Sequence, residues 1–505
     1  KWMTPYKAKK NGPSDVDEST DTYDTIEWLL KNIPNNNGRV GMWGISYPGH
    51  YTAQAIIDAH PALKAASPQA PMNDNYLGDD MHHGGTLFLP HAFNFLIRSD
   101  FGRKREKPGA PRFPYFDHGT QDGYKFFLEL GPLANANKKY FKGESEFWNL
   151  WMQHGNYDEY WKPQNIAQNL NHVTPAVMTV GGWFDAEDLP GPLKIYDAIE
   201  KKNPKTYNTL VMGPWCHGCW SNARYEALGS VNFGSQVSAY YQENIELPFF
   251  NFFLKDKGEN KLPEAYIFES GTNQWKQYEQ WPPKNAQPAS LYLQANGKLS
   301  FTAPRENSPK AFDEYNSDPM KPVPFINHVS INMDYSYMVD DQRFAGTRPD
   351  VLVYQTDELT ENLTLAGPLN AELFVSTTGS DSDFVVKLID VYPEKDPSGR
   401  MNGYQMLVRG EPIRAKFRNG FEKPEPMKPN QITRVPLYLP DINHTFQKGH
   451  RVMIQLQSTW FPLMDRNPQK FVDIYNASDA DFQKATQRVY RTAKNATQLK
   501  VMVLK

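Results

Sequence analysis

Apolar positions follow two different grammars along the chain. From Thr20 to Lys31, "TDTYDTIEWLLK", Ile26, Leu29 and Leu30 recur at helical spacing, with Thr20 or Asp21 placed as N-cap. "NIPNNNG" breaks that helix. Arg39 to Gly44, "RVGMWG", predicts a short buried strand, and after Ser46 a helix is expected from about Gly49 to Asp58. Helix, strand, sharp turn and helix in this order is α/β grammar. Between Met72 and about Leu170 the pattern becomes charged, Gly-broken and aromatic-rich ("FWNLWMQHGNYDEYW"), which predicts an irregular helical insertion. Strand signals return at Pro175–Gly182 and Asn208–Gly213, around a helix at Leu193–Lys201, and a long helix over Ser235–Leu254 closes this part. Beyond Leu262 short alternating runs ("AYIFES", "ELFVST", "DFVVKLIDVY", "RVMIQLQS") alternate with Pro-, Gly- and Asn-rich turns, the pattern of a β-sandwich.

Composition narrows the function. Hydrophobic residues are 39 % of the 505, and the 33 Gly bring the apolar share to about 45 %, an ordinary globular range that excludes disorder. Lys plus Arg is 54 against 57 Asp plus Glu, so the basic excess of a nucleic-acid binder is missing. No apolar run approaches the ~18 residues of a membrane span. The first ten residues, "KWMTPYKAKK", are polar and carry no signal-peptide pattern. Cys216 and Cys219 stand as C-x-x-C around His217, but no second ligand pair follows, so a zinc site is not expected. Two free thiols are the expectation, ahead of a local disulfide. Asp381 and Asp383 in "TGSDSD" read as turn acids rather than calcium ligands.

The most informative stretch is "GMWGISYPGH". A strand ends at Gly44, Ser46 occupies the turn and a helix starts within three residues, which is the layout of a nucleophile elbow. The spacing is G-x-S-x-x-G, with Pro48 where a glycine is usual; proline is tolerated in a first helical turn. In an α/β-hydrolase the acid and the base follow the serine, each past the end of a later strand. "PAVMTVGGWFD" places Asp185 there, and "NTLVMGPWCHG" places His217 past the next strand. Ser46 is then the nucleophile, His217 the general base and Asp185 the group that orients it. The backbone N–H of Tyr47 is the expected oxyanion donor.

On these residues the chain resembles an α-amino-acid ester hydrolase, within the group of X-Pro dipeptidyl-peptidases and cocaine esterase. The matching segments include "DESTDTYDTIEWLLKNIPNNNGRVGMWGISYPG", "PMNDNYLGDDMHHGG", "VGGWFDAED", "GPWCHG", "DQRFAGTRPDVLVYQT" and "STWFPLMDRNPQKF". The resemblance implies an α/β-hydrolase core (1–71 and 171–262), an inserted helical cap (72–170) and a C-terminal jelly-roll β-sandwich (263–505). It also implies that Asp80, Glu187 and Asp188 form a carboxylate cluster for the substrate's free α-ammonium, that the protein is a homo-oligomer (a tetramer), and that it is periplasmic or secreted. The family's second oxyanion donor, a tyrosine ahead of the nucleophile, has no counterpart here. Since only one strand precedes Ser46, and a βα unit takes about 30 residues, the N-terminal strands of the core are expected to be missing from this chain.

The reading is therefore a serine esterase or acylase acting on small α-amino-acyl esters, amides or short peptides, with no cofactor, no metal, no nucleic-acid partner and no membrane. Acyl transfer to an amine would extend it to aminoacyl β-lactam synthesis. An X-Pro dipeptidyl-peptidase is the alternative, since it too needs an anionic site for an N-terminus. A glutaryl acylase is disfavoured because the acids would repel its substrate. A carbohydrate-binding protein with an inactive hydrolase domain would show exposed Trp or Tyr on one face of the sandwich.

Overall fold

The computed structural model describes residues 4–12, 14–98, 116–396 and 398–505; residues 99–115 of the expected insertion lie outside these. The chain divides into two compact units, Lys1–Asp80 with Glu159–Lys284, and Met81–Asp158 with Asn285–Lys505.

Six strands lie side by side in chain order in the first unit: β1 (Val40–Ile45), β2 (Leu63–Gln69), β3 (Ala176–Gly182), β4 (Asn208–Gly213), β5 (Ala265–Glu269) and β6 (Gln274–Tyr278). The first five run parallel and β6 returns antiparallel. β3 and β4 are buried over their whole length, so they read as unbroken apolar runs. The β2 sequence "LKAASPQ" carries no such run and predicts no strand; small side chains at Ala65, Ala66 and Ser67 fill its buried positions. β5 and β6 move the expected boundary at 263. "AYIFES" reads as the first strand of the sandwich, yet Ala265 pairs with Leu210 of the parallel sheet. On its other side β1 pairs with no strand among the described residues, and Trp43 stands 57 % exposed there.

Helix α1 (Glu18–Asn32) begins earlier than Thr20 because Asp17, not Thr20 or Asp21, is its cap. The Asp17 carboxylate accepts the Thr20 N–H at 2.9 Å, and the Thr20 hydroxyl accepts the Asp17 N–H at 2.9 Å. The next two helices are α2 (Tyr47–Ala55) and α3 (Pro190–Lys202). The expected helix over 235–254 runs from Val237 to Lys255 with a π-helical turn at Gln242–Glu246. Pro248 has no N–H to give the turn before it, so the ladder slips there by one residue.

In the second unit the chain from 285 onward forms two antiparallel sheets. One is built round Leu363–Thr377 and the other round Asp383–Val391, and their inward side chains share one core containing Leu373, Val375, Phe384, Leu388, Val435 and Ile454. The register along Leu363–Thr377 shifts between Gly367 and Leu369, where Pro368 removes a ladder donor. Residues 81–158 cluster with this part. Their helices Leu89–Arg98, Gly123–Leu130 and Glu146–Gln153 gather round Phe93, which meets Phe126, Phe127, Phe141 and Trp148 edge-on at 5.7, 5.6, 5.2 and 6.2 Å. No helix is long and apolar enough to cross a membrane among the described residues.

One cluster of buried charge in this unit is paired. Arg414 donates to Asp383 at 3.0 and 2.9 Å and to Asp465 at 3.0 Å, while Asn467 reaches Asp381 and Asp383. The "TGSDSD" acids thus have protein partners. Lys387 is fully buried, with Nζ 3.0 Å from the Gln342 amide oxygen and 5.0 Å from the Trp460 ring, and burial pushes its ammonium down to about 7. An unfolded lysine titrates near ~10.4. Between these values the unfolded chain holds a proton that the folded one has released, so stability rises with pH across this window and the penalty is largest below it. Lys387→Met, which keeps the volume, is expected to stabilise this unit by a few kcal/mol (order of magnitude) at pH 7 and by less at pH 9. Thermal melts at the two pH values check this; an equal or negative shift at both would refute it.

Candidate active site

The residues singled out in the sequence lie past the ends of the parallel strands. Ile45 pairs with Gln69, Gln69 with Val180, and Gly182 with Gly213, so β1 to β4 finish at one edge of the sheet. Ser46 follows β1 with φ 66° and ψ −126°, a left-handed conformation rare for a side-chain-bearing residue. Its neighbours allow that turn by lacking side chains. A Cβ on Gly44 would lie 2.5 Å from Pro48, and one on Gly49 would lie 2.3 Å from the Gln69 carbonyl oxygen. The Ser46 N–H is held by that carbonyl at 3.0 Å, and Tyr47 begins α2.

Gln69 also connects the elbow to the loop after β4. Its side-chain oxygen accepts the Trp220 indole N–H at 2.7 Å, and its amide nitrogen donates to Glu246 at 2.8 Å. Gly218, directly after His217, faces Ile45 with room for a Cβ at 3.4 Å. The His217 loop is thereby set against the residue preceding Ser46.

Asp185 follows β3 and is buried. One oxygen accepts the N–H groups of Glu187 at 2.9 Å and Asp188 at 3.0 Å, which closes the turn, and the His217 Nδ1 lies 3.1 and 3.0 Å from its two oxygens. Asp188 Oδ2 is on the same side, 3.8 Å from Nδ1, while on the far side of the ring Nε2 is 3.2 Å from the Glu187 carboxylate. Asp80, at φ 48°, donates its N–H to the Glu187 carbonyl at 2.8 Å. Asp80, Glu187 and Asp188 are all buried, and neither oxygen of Asp188 has a hydrogen-bond partner among the described residues. The structure thus brings Asp185, Glu187, Asp188 and His217 into direct contact, with Asp80 joined through the backbone.

The electrostatics are lopsided. Burial acts to lower the His217 imidazole, but Asp185, Glu187 and Asp80 outweigh it and push the ring up to about 10. Burial acts to raise Asp185, yet His217 and the two backbone donors hold its carboxyl below the usual range. Asp188 is raised well above it by burial and by Asp80, Asp79, Asp185 and Glu187 around it.

Two features are not legible in the sequence. Asp79 is buried beside Asp80 and accepts the N–H groups of Asn73, Asp74 and Gly191 at 2.8, 2.9 and 2.8 Å, tying the Asp80 loop to the start of α3. Its only sequence signal is the doubled acid in "GDDMHHGG". Cys216 and Cys219 are not free thiols: they form a disulfide, with Cα atoms 5.3 Å apart, that closes the turn containing His217. A C-x-x-C spacing disfavours a metal site when no second ligand pair follows, but it does not separate a thiol pair from a disulfide, so the expectation of free thiols is corrected by the fold.

Comparison with known proteins finds two family matches in succession along the chain. Residues 9–219 match the X-Pro dipeptidyl-peptidase (S15) family, and residues 258–500 match the X-Pro dipeptidyl-peptidase C-terminal non-catalytic domain. The cocaine esterase of Rhodococcus sp. (strain MB1 Bresler) is 25 % identical over 97 % of this chain and 85 % of its own. Among solved structures, an α-amino acid ester hydrolase superposes with a TM-score of 0.92 at 38 % identity, covering 99 % of this chain and 82 % of that one. An aminopeptidase from a marine sediment Thaumarchaeota archaeon superposes with a TM-score of 0.93 at 36 % identity, with the same coverage of 99 % and 82 %. The chain belongs to the X-Pro dipeptidyl-peptidase and cocaine esterase group, serine hydrolases that join an α/β-hydrolase core to a C-terminal β domain.

Proposed function

We propose that this serine hydrolase acts on esters or amides of α-amino acids through an aminoacyl-enzyme on Ser46. The observation that carries the reading is the convergence of buried carboxylates round His217, Glu187 at Nε2 and Asp188 beside Nδ1, with neither oxygen of Asp188 hydrogen-bonded among the described residues. A buried acid with unused acceptors is costly and is relieved by a cation. The α-ammonium of an aminoacyl group is a cation of the right size, carried one atom from the carbonyl that Ser46 would attack. A pair of opposite charges at 4 Å is worth about 4 kcal/mol at an effective dielectric of 20, before desolvation. A hundredfold preference needs only about 2.7 kcal/mol.

Each residue then has a task. Ser46 Oγ attacks the acyl carbon as His217 Nε2 takes its proton, and the Tyr47 N–H, at the first helical position, bonds the oxyanion. His217 returns the proton to the departing alkoxide or amine. Water, or an acceptor amine, attacks the acyl-enzyme in the second half, again losing its proton to His217. Asp185 keeps the imidazole aligned and stabilises its charged form. Asp80, Glu187 and Asp188 bind the ammonium, and Asp79 holds their loops together.

A peptide N-terminus carries the same ammonium, so release of X-Pro units is the second reading, favoured by the family match. The sugar-binding alternative loses its expected feature: in 285–505, Tyr438 is the only exposed Trp or Tyr among the described residues.

The test compares kcat/KM for phenylglycine methyl ester and phenylacetic acid methyl ester, with Ser46→Ala as blank. A hundredfold or greater preference for the amino ester is expected, and Asp188→Asn should cut it at least tenfold while sparing the desamino ester. Equal rates would leave a general esterase. Alanyl and alanyl-prolyl p-nitroanilides separate the readings, because faster release from the second would favour the dipeptidyl-peptidase. Gln69→Leu should lower kcat about tenfold with little change in KM, since it loosens the elbow against the base rather than the ammonium site. A KM effect alone would argue against that positioning role.

A further inference from the structure

The proposed chemistry needs His217 Nε2 to be unprotonated when Ser46 releases its proton, and the resting geometry opposes this. Nδ1 lies 3.0 Å from Asp185 Oδ2, and Nε2 lies 3.2 Å from Glu187 Oε2. Carboxylate oxygens accept hydrogen bonds, so an imidazole serves both only by donating from both nitrogens, which makes it an imidazolium. Asp188 Oδ2 at 3.8 Å and the charge of Asp80 favour the same form. Burial works against it and is outweighed. In this geometry an Nε2–H directed at Glu187 leaves no lone pair for the serine.

We propose that Glu187 is a substrate-released latch on the base: the α-ammonium of the incoming aminoacyl group replaces the imidazolium N–H as the partner of Glu187, and His217 loses that proton to solvent. The inference rests on the amino-acyl reading above and adds a regulatory role for one member of the cluster. Charge balances, because one cation enters and one proton leaves. The freed Nε2 lone pair then accepts the Ser46 proton. Asp185 stays on Nδ1 throughout and keeps the ring from turning. Glu187 acts through His217, so it is a positioning residue for the base as well as a ligand of the substrate. A desamino ester is then penalised twice: it lacks an ionic contact, and it meets a base still carrying its proton.

Two measurements test this on the whole chain. Calorimetric titration of Ser46→Ala with 2-phenylglycinol at pH 7, in buffers of different ionisation enthalpy, should show close to one proton released per amine bound. Adding Glu187→Gln should remove most of that release. The second measurement follows hydrolysis of phenylacetic acid methyl ester with pH, corrected with the Ser46→Ala blank. In the wild type kcat/KM should climb toward a limb near about 10, the value to which the ring is pushed. Glu187→Gln should move the limb to lower pH and raise kcat/KM at pH 7 about tenfold or more, because each pKa unit is a tenfold change in neutral imidazole. The same variant should lower kcat/KM for the amino ester, a reversal of sign that general damage to the fold would not produce. Amine binding without proton release, or an unmoved limb, would overturn the latch and leave the amino-acyl reading standing. Failure of the amine to bind would overturn both. The calorimetry on Ser46→Ala keeps Glu187 intact, so a Glu187→Gln chain that fails to fold does not spare the proposal.

Discussion

The site depends on one buried carboxylate. Asp185 accepts the N–H groups of Glu187 and Asp188 and turns both its oxygens to His217 Nδ1. A buried ionised acid is costly unless donors surround it, and these donors belong to the two residues proposed to bind the ammonium. Folding the turn at 185–188 therefore satisfies the acid, presents Glu187 and Asp188 to the ring, and aligns the ring in a single step. Burial alone would raise this carboxyl; its depression shows the donors and the imidazolium winning.

The sheet supplies the long-range part. Ser46, Asp185 and His217 are far apart in sequence, yet parallel strands in chain order finish at a common edge, where loops of different origin meet. Gln69 makes that convergence specific, since its carbonyl fixes the elbow and its side chain fixes the loop beyond β4. Such ties can be short because Gly44 and Gly49 let α2 approach the sheet without a Cβ in the way.

Legibility in the sequence follows local physics. β3 and β4 are buried on both faces and announce themselves as apolar runs ending near an acid and a histidine, so the chain order alone places those two candidates. β2 does not announce itself: its burial is met by Ala and Ser, which suit a tight sheet without β-branched residues. β5 reads as a strand, but of the wrong domain, because alternation reports a half-buried surface and not the sheet it joins. The α1 cap lies three residues ahead of Thr20 because Thr20 fills the third position of the capping box in place of Glu or Gln. Within the site, residue types suggest which acids gather, but pairing does not follow from type. The Glu187 contact with Nε2, the three backbone donors on Asp79, and the disulfide round His217 all depend on tertiary placement.

A site that recognises a cation with carboxylates and also uses an imidazole base contains an internal conflict. Every acid that attracts the ammonium also stabilises the imidazolium, so stronger recognition means a more fully protonated base in the resting enzyme. Distance does not resolve it, because the α-ammonium lies one atom from the reacting carbonyl and must sit near the base. Exchange does: if ammonium and imidazolium proton compete for Glu187, the charge that silences the base is removed by the same substrate that needs it. On that view the high basicity of His217 beside these acids is one half of a coupled equilibrium. Specificity for amino-acyl groups then arises in the catalytic step as well as in binding.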